Sequence, residues 1–268
     1  MAKRSGADGK EHAYKINVLE RAVSILKAFR DGEGDLSLKE LCARTGLHAS
    51  TCLRIVSVLR DQGLVAKDET TGHYRLGYEL IALADIARSS GGLVAIALPH
   101  MRELSRQFQE TVALSVRSGD HRIDLEQVVG EQPVRRVIPL GVPKPLYTGA
   151  ASRVLLSGLT DAELDGYLDR VPLEKLATNT ITDPDVLRTS VAEIRANGFA
   201  ESVQEQFDAS GCGIVAPVID SRGRLVAAVG VSVPQFRFST ELRDRLVPAV
   251  KLTAGRISHL LGDRQANG

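Results

Sequence analysis

Tryptophan is absent from the 268 residues, and all aromatics together make up only 4% of them. Any core must therefore be packed from aliphatic side chains. The three cysteines, Cys42, Cys52 and Cys212, lie far apart with no C-x-x-C spacing. That excludes a structural zinc knuckle and a disulfide framework, and it points to a reducing compartment. No apolar run approaches the length of a membrane span; "GIVAPVI" is among the longest. The opening "MAKRSGADGKEHAYK" lacks the apolar segment of a secretion signal. A soluble, cytoplasmic protein with no membrane partner is expected.

Catalytic signatures are missing as well. There is no G-x-S-x-G elbow, P-loop, G-x-G-x-x-G or H-E-x-x-H pattern. No catalytic residue, metal site or cofactor is expected. Cys212 on an apolar strand reads more readily as a small buried hydrophobe than as a nucleophile.

What is present is a chain of ordinary globular composition, 43% apolar and 25% charged, long enough for two domains. The net charge of +1 hides a weak asymmetry, +3 over residues 1–77 and −2 over the rest. Such a bias does not by itself argue for nucleic acid. Residues 1–14 lack periodicity and are expected to form a flexible arm.

From residue 15 the pattern becomes regular. A first helix is predicted with Leu19, Ala22, Val23 and Leu26 on its dry face, closing at Phe29. Ser37-x-x-Glu40 is a capping box that opens a short second helix, which Gly46 ends. The stretch "HASTCLRIVSVLRDQG" is a third helix with Cys52, Ile55, Val56 and Leu59 on one stripe. Two short apolar segments flank Asp68-Glu69-Thr70-Thr71-Gly72, a hairpin signal. Helix, helix, tight turn, helix and hairpin is the order of a winged helix-turn-helix, which places its second paired helix in the major groove.

The outward face of that third helix carries Ser50, Thr51 and Arg54 near its start. Short hydroxyls can bond phosphate oxygens at a helix N-terminus, and arginine can pair with guanine O6/N7. Alone, this reads as a solvated helix face; together with its neighbours it favours duplex DNA. Lys67, His73 and Arg75 are wing candidates for the backbone or the minor groove, and His48 either caps the helix or touches DNA. Residues 15–77 are thus the expected DNA-binding domain. "YELIALADIARSS" follows as a linker helix over 78–90, its apolar stripe suited to pairing with a second chain.

Residues 91–268 alternate helix and strand, which predicts an α/β domain around a mainly antiparallel sheet and an α+β protein overall. "RRVIPL" reads as a strand carrying Arg136, followed by a proline-rich loop. The small residues of "GAAS" open a helix and expose backbone donors, an anion-site geometry. Thr160-x-x-Glu163 is a second capping box, and Ser239 caps a final helix interrupted or kinked near Pro248. Cys212, Gly213, Gly230 and Ser232 sit on strands able to line a cleft with Arg136, Ala150 and Ala151. Small residues at such places either leave room for a ligand or simply permit close packing.

The stretches "LERAVSILKAF", "LSLKELCARTGLHASTCLRIVSVLRDQGLV", "YRLGYEL", "LPHMRELS", "PLYTGAASRVLLS" and "GIVAPVIDSRGRLVAAVGVSVP" occur here in this order. In that combination the chain resembles the IclR family of bacterial transcription regulators over almost its full length. The resemblance implies an N-terminal winged helix, a linker helix and a GAF-like effector-binding domain, assembled as dimers or tetramers on a palindromic operator. It implies a small organic acid or related metabolite as effector. The ligand residues it implies are Tyr147, Ala150, Ala151, Gln204, Glu205, Cys212, Gly213, Gly230 and Ser232. The chain departs from the family where an alanine-glycine-lysine run is replaced by Ala151-Ser152-Arg153, and where Leu53 takes a commonly polar place.

Overall fold

A computed structural model describes residues 17–31, 34–89, 92–205 and 211–266. The expected N-terminal arm lies outside them. The chain divides into two compact units between Ala87 and Arg88.

The first unit contains α1 (Asn17–Lys27), a short 3-10 turn (Ala28–Asp31), α2 (Leu38–Thr45) and α3 (Ala49–Asp61). The hairpin β1 (Val65–Lys67) and β2 (Tyr74–Leu76) and then α4 (Glu79–Ser89) complete it. Ser37 caps α2 by accepting from the Glu40 amide while Glu40 reaches back to the Ser37 amide, so the predicted capping box is present. Gly46, at φ 69°, ends α2 in the left-handed region and makes the turn into α3. The wing tip is closed by Asp68, whose carboxylate accepts from the Thr70 and Thr71 amides at 2.7 and 3.0 Å.

Cys52, Ile55, Val56 and Leu59 of α3 are buried as their spacing predicts, against Ile25, Leu41, Val65 and Tyr74. The face predicted for α1 is wrong in part. Leu19 and Val23 are exposed, and the core side is Ile25 and Ala28, with Ala22, Leu26 and Phe29 partly covered. Leu19 and Val23 lie one helical step to the side of Ala22, Ile25, Leu26 and Phe29, so the apolar surface of α1 is wider than the part this unit's core covers.

The second unit is built on a six-stranded sheet of order β5-β4-β3-β8-β7-β6, every neighbouring pair antiparallel. Its strands are β3 (Thr111–Ser118), β4 (His121–Val128), β5 (Lys144–Pro145), β6 (Ala200–Val203), β7 (Gly211–Ile219) and β8 (Leu225–Pro234). The helices are α5 (Leu93–Phe108), α6 (Gly149–Ser157), α7 (Asp161–Arg170), α8 (Pro184–Asn197) and α9 (Thr240–Ala266). Strand alternation sorts the side chains into two layers. Val112, Leu114, Ile214, Ala216, Val229 and Val231 face α5 and α9 and form the larger core. Val215 and Ala228 face the other way, toward α6 and α8.

Two local expectations are corrected here. Residues 135–139 form no strand: Arg136 lies in an extended loop, and β5 is only Lys144–Pro145. Side chains rather than a strand ladder hold that loop. Thr111 Oγ1 donates to the Arg136 carbonyl at 2.6 Å, and the Gln127 amide bonds both the N–H and the C=O of Ile138 at 2.8 Å. The final helix also runs without interruption through Pro248. Its buried stripe of Leu246, Val250, Ala254, Ile257 and Leu261 packs along the sheet and outweighs one missing backbone bond.

Candidate functional sites

On α3 the outward residues stand where a groove reader needs them. His48, Ser50 and Arg54 are exposed and Thr51 is half-buried. No acidic residue occupies the first turn, and His48 holds the N-cap position without bonding the helix amides. Its Nδ1 lies 2.9 Å from Ser50 Oγ instead, so it neither caps the helix nor turns away from this face. The helix N-terminus thus keeps its positive end and its donors open to an anion.

The wing candidates divide. Arg75 is exposed, whereas Lys67 is half-buried with its ammonium 3.6 Å from Glu69. The Nδ1 of His73 lies 3.0 Å from the Thr71 carbonyl, which occupies that ring atom in the turn.

The second site is a cavity of about 80 Å³ in the α/β unit. Its floor is paved with small residues. Ala113 and Ser115 of β3, Gly230 and Ser232 of β8, Gly213 of β7 and Ser202 of β6 all line it. Register places Ala113 opposite Gly230, and Ser232 opposite both Thr111 and Gly213. Gly230 admits nothing larger: a Cβ there would lie 2.3 Å from the Ile214 carbonyl oxygen. Ala150 and Ala151 at the start of α6 and the loop from Arg136 to Pro139 complete the walls. The Arg136 guanidinium sits over Gly211, where a Cβ would come within 3.2 Å of it.

Of the ten residues predicted for the effector, eight line this cavity: Arg136, Ala150, Ala151, Glu205, Cys212, Gly213, Gly230 and Ser232. Tyr147 and Gln204 are absent from its lining. The Tyr147 hydroxyl is turned to Glu174, donating to its carbonyl and accepting from its amide, beneath a buried ring. Gln204 adopts φ 53° and donates to Gln235 at 2.8 Å.

Sequence reasoning missed the charged wall. Arg122 and Asp124 of β4 and Lys144 of β5 all line the cavity. Asp124 accepts from Ser115 Oγ at 2.6 Å, Lys144 Nζ at 3.0 Å and Arg122 at 3.3 Å. Burial opposes its charge, yet Arg122, Lys144 and Ser115 together hold its carboxyl below the usual range. Opposite them, Glu205 Oε1 accepts from Arg153 at 2.7 Å. Here burial prevails, and the Glu205 carboxyl is pushed up despite Arg153 and the nearby backbone of Gly149 and Val203. Burial likewise pushes up the Cys212 thiol, joined by the Glu201 charge and opposed by Arg136, which keeps it a neutral thiol.

A three-helix winged module followed by a unit that encloses a polar chamber defines a DNA-binding protein with a sensory domain. Residues 18–69 match the IclR helix-turn-helix domain, and residues 87–259 match the bacterial transcriptional regulator IclR C-terminal domain. The chain belongs to the IclR family of bacterial transcription regulators. It is 38% identical over 219 residues to the HTH-type transcriptional regulator Rv1719 of Mycobacterium tuberculosis, covering 82% of each chain. A transcriptional regulator of Rhodococcus sp. RHA1 superposes with a TM-score of 0.81 at 30% identity, over 92% of this chain and 98% of that one. An IclR homolog from Microbacterium hydrocarbonoxydans, solved with 4-hydroxybenzoate, gives 0.80 at 25% identity over 91% and 98%. The protein is therefore a DNA-binding transcription regulator with a C-terminal effector domain, and not an enzyme.

Proposed function

We propose that the protein binds a two-fold symmetric operator as a dimer or dimer of dimers and responds to a small carboxylate. Residues 15–77 read DNA, residues 78–90 link and pair the protomers, and residues 91–268 hold the effector. Arg54 contacts a base edge, while Ser50, Thr51 and His48 position the helix on phosphates. Arg75, with Lys67 and His73, sets the wing on the backbone. Half-sites then lie about one helical turn, or a multiple of it, apart. The protein's place is the cytoplasm, where that DNA is.

The observation that carries the effector reading is the cavity wall, in which Arg122 and Lys144 face one carboxylate, Asp124, over a floor of small residues. Two cations against one anion leave a positive balance that suits an acidic ligand. Arg136 adds a further cation from the loop. The 4-hydroxybenzoate of the Microbacterium relative is also a carboxylate. The ligand acts by binding two arrangements of the oligomer unequally, which resets the spacing of the DNA modules.

The test is a gel-shift titration on the DNA flanking the protein's own gene, with and without a panel of carboxylates. A change of about 5–150-fold in operator affinity with one of them is expected. Operator affinity unchanged by every carboxylate, with no thermal shift from any of them, assigns the C-terminal domain to oligomerisation alone.

A further inference from the structure

Cys42 and Cys52 are separated along the chain, and the helix-turn-helix brings them together. Cys42 is on α2 and Cys52 on α3, both free thiols packed in the core of the first unit. Where the two helices cross, the Cys52 thiol meets that of Cys42, side chain to side chain. Their exposure differs. Cys52 is wholly buried on the stripe of Ile55, Val56 and Leu59, whereas Cys42 is half-buried and partly open to solvent. Close packing of α2 on α3 asks for small residues at the crossing, and alanine would serve. It does not ask for two thiols in contact, one of them within reach of solvent.

That difference divides the chemistry. Burial, joined by Cys42, pushes the Cys52 thiol up to about 11, so it holds its proton and does not start a reaction with an oxidant in solution. Cys42 is the sulfur that a small oxidant can reach.

We propose that Cys42 and Cys52 form a reversible oxidation site, at which a small hydroperoxide such as hydrogen peroxide links α2 to α3 by a disulfide and loosens the protein's hold on its operator. The Cys42 thiolate attacks hydrogen peroxide, the O–O bond breaks, and Cys42 becomes a sulfenic acid as hydroxide leaves. The Cys52 sulfur then gives up its proton and attacks the Cys42 sulfur; the S–O bond breaks and water leaves. Two thiols thus lose two protons and two electrons, and one hydrogen peroxide is reduced to two waters. Contact between the sulfurs offsets the high proton affinity of Cys52, because the second step is intramolecular and intrinsic nucleophilicity rises with pKa. In a reducing compartment the bond is transient, since cellular thiols exchange it open again.

Bonding brings the sulfurs from contact distance to about 2.05 Å and draws α3 onto α2. Thr51 and Arg54 flank Cys52 on the same helix, so their reach toward a groove changes with it. This consequence rests on α3 as the reading helix; the disulfide itself does not.

The test starts from reduced full-length protein, exposed to hydrogen peroxide at neutral pH, alkylated without reduction and digested with trypsin. Cleavage after Lys39, Arg44 and Arg54 places Cys42 and Cys52 in separate peptides, 40–44 and 45–54. Mass spectrometry is expected to find these two joined, and parted again by dithiothreitol, with the Cys212 peptide, 196–222, unlinked. Operator affinity of the same sample should fall about tenfold or more and return with dithiothreitol. Cys42→Ser and Cys42→Ala should each keep the affinity of the reduced protein and lose the response to peroxide. Peptides 40–44 and 45–54 that stay apart, as thiols or as singly oxidised cysteines, overturn the site, and so does a link to Cys212. A joined pair with unchanged operator affinity overturns its control of DNA binding and leaves α3 as the reading helix. Reduced protein that binds no duplex overturns the α3 reading instead, while the peptides still decide the disulfide.

Discussion

Arg153 bonds Glu205 at 2.7 Å and Ser190 at 2.6 Å, and also donates to the Glu201 carbonyl, so one guanidinium ties α6 to α8 and β6. Only 8% of its side chain is exposed. The α6 N-terminus therefore faces an internal carboxylate rather than an open anion site.

Removing one member of a buried pair strands the other charge. Arg153→Met is expected to destabilise the protein by about 3–5 kcal/mol in urea unfolding. Adding Glu205→Gln should recover part of that loss. Additive effects of the two changes would show that the pair is not coupled.

Asp124 sets an acid limit. Its carboxyl is held below the ordinary 3.8, so the stabilisation it supplies is present above that value and lost as pH falls through the depressed one. Asp124→Asn should cost about 3–5 kcal/mol at neutral pH. The gap in melting temperature between variant and wild type should close in strong acid. Glu205, raised above 4.5, acts with the opposite sign: its contribution is full below 4.5 and fades as pH climbs through the raised value.

On the DNA side, Arg54→Ala should cost about 1–3 kcal/mol of operator affinity and relax the preference at one base pair, with effector binding unchanged. Arg75→Ala should weaken all duplexes alike and lower the salt slope by about 1. Fluorescence anisotropy at several salt concentrations separates the two behaviours. An operator affinity unmoved by Arg54→Ala removes α3 as the reading helix.

The linker helix offers an oligomerisation test. Ile81 is 65% exposed and Leu83 48%, an apolar content that a solvated helix does not need. Ile81→Asp is expected to shift sedimentation toward a smaller species without changing far-UV circular dichroism. An unchanged sedimentation profile would place the dimer contact elsewhere.

Much of this was legible in advance. The helix-turn-helix followed from Ser37, Gly46 and the Cys52–Leu59 stripe, and both capping boxes formed as spaced, at Ser37 with Glu40 and at Thr160 with Glu163. Of the cavity floor, the sequence named Gly213, Gly230 and Ser232 but left ligand space and close packing open, and it did not single out Ala113, Ser115 or Ser202. The charged wall did not. In "RIDLEQ" the polar residues Arg122, Asp124 and Glu126 alternate with Ile123 and Leu125, and an alternating strand is read with its polar side in water. Here α6 covers that side, and Arg122 and Asp124 pair across it under less than a tenth exposure. The usable signal was a cation and an anion two residues apart on one face. Arg136 was misplaced on a strand because "RVIPL" has β composition, while the Arg136 carbonyl accepts from the Thr111 side chain and Ile138 bonds that of Gln127, which no local pattern reveals.

Gly230 has a consequence for how regulators of this build diversify. Because its missing side chain is dictated by the Ile214 carbonyl behind it, this part of the chamber has no substitutable depth. Inherited changes in taste for one metabolite over another must come from the surrounding serines and alanines, or from the 131–143 loop overhead. Regulators with wider appetites should differ there first, and keep this glycine long after the molecule they answer to has changed.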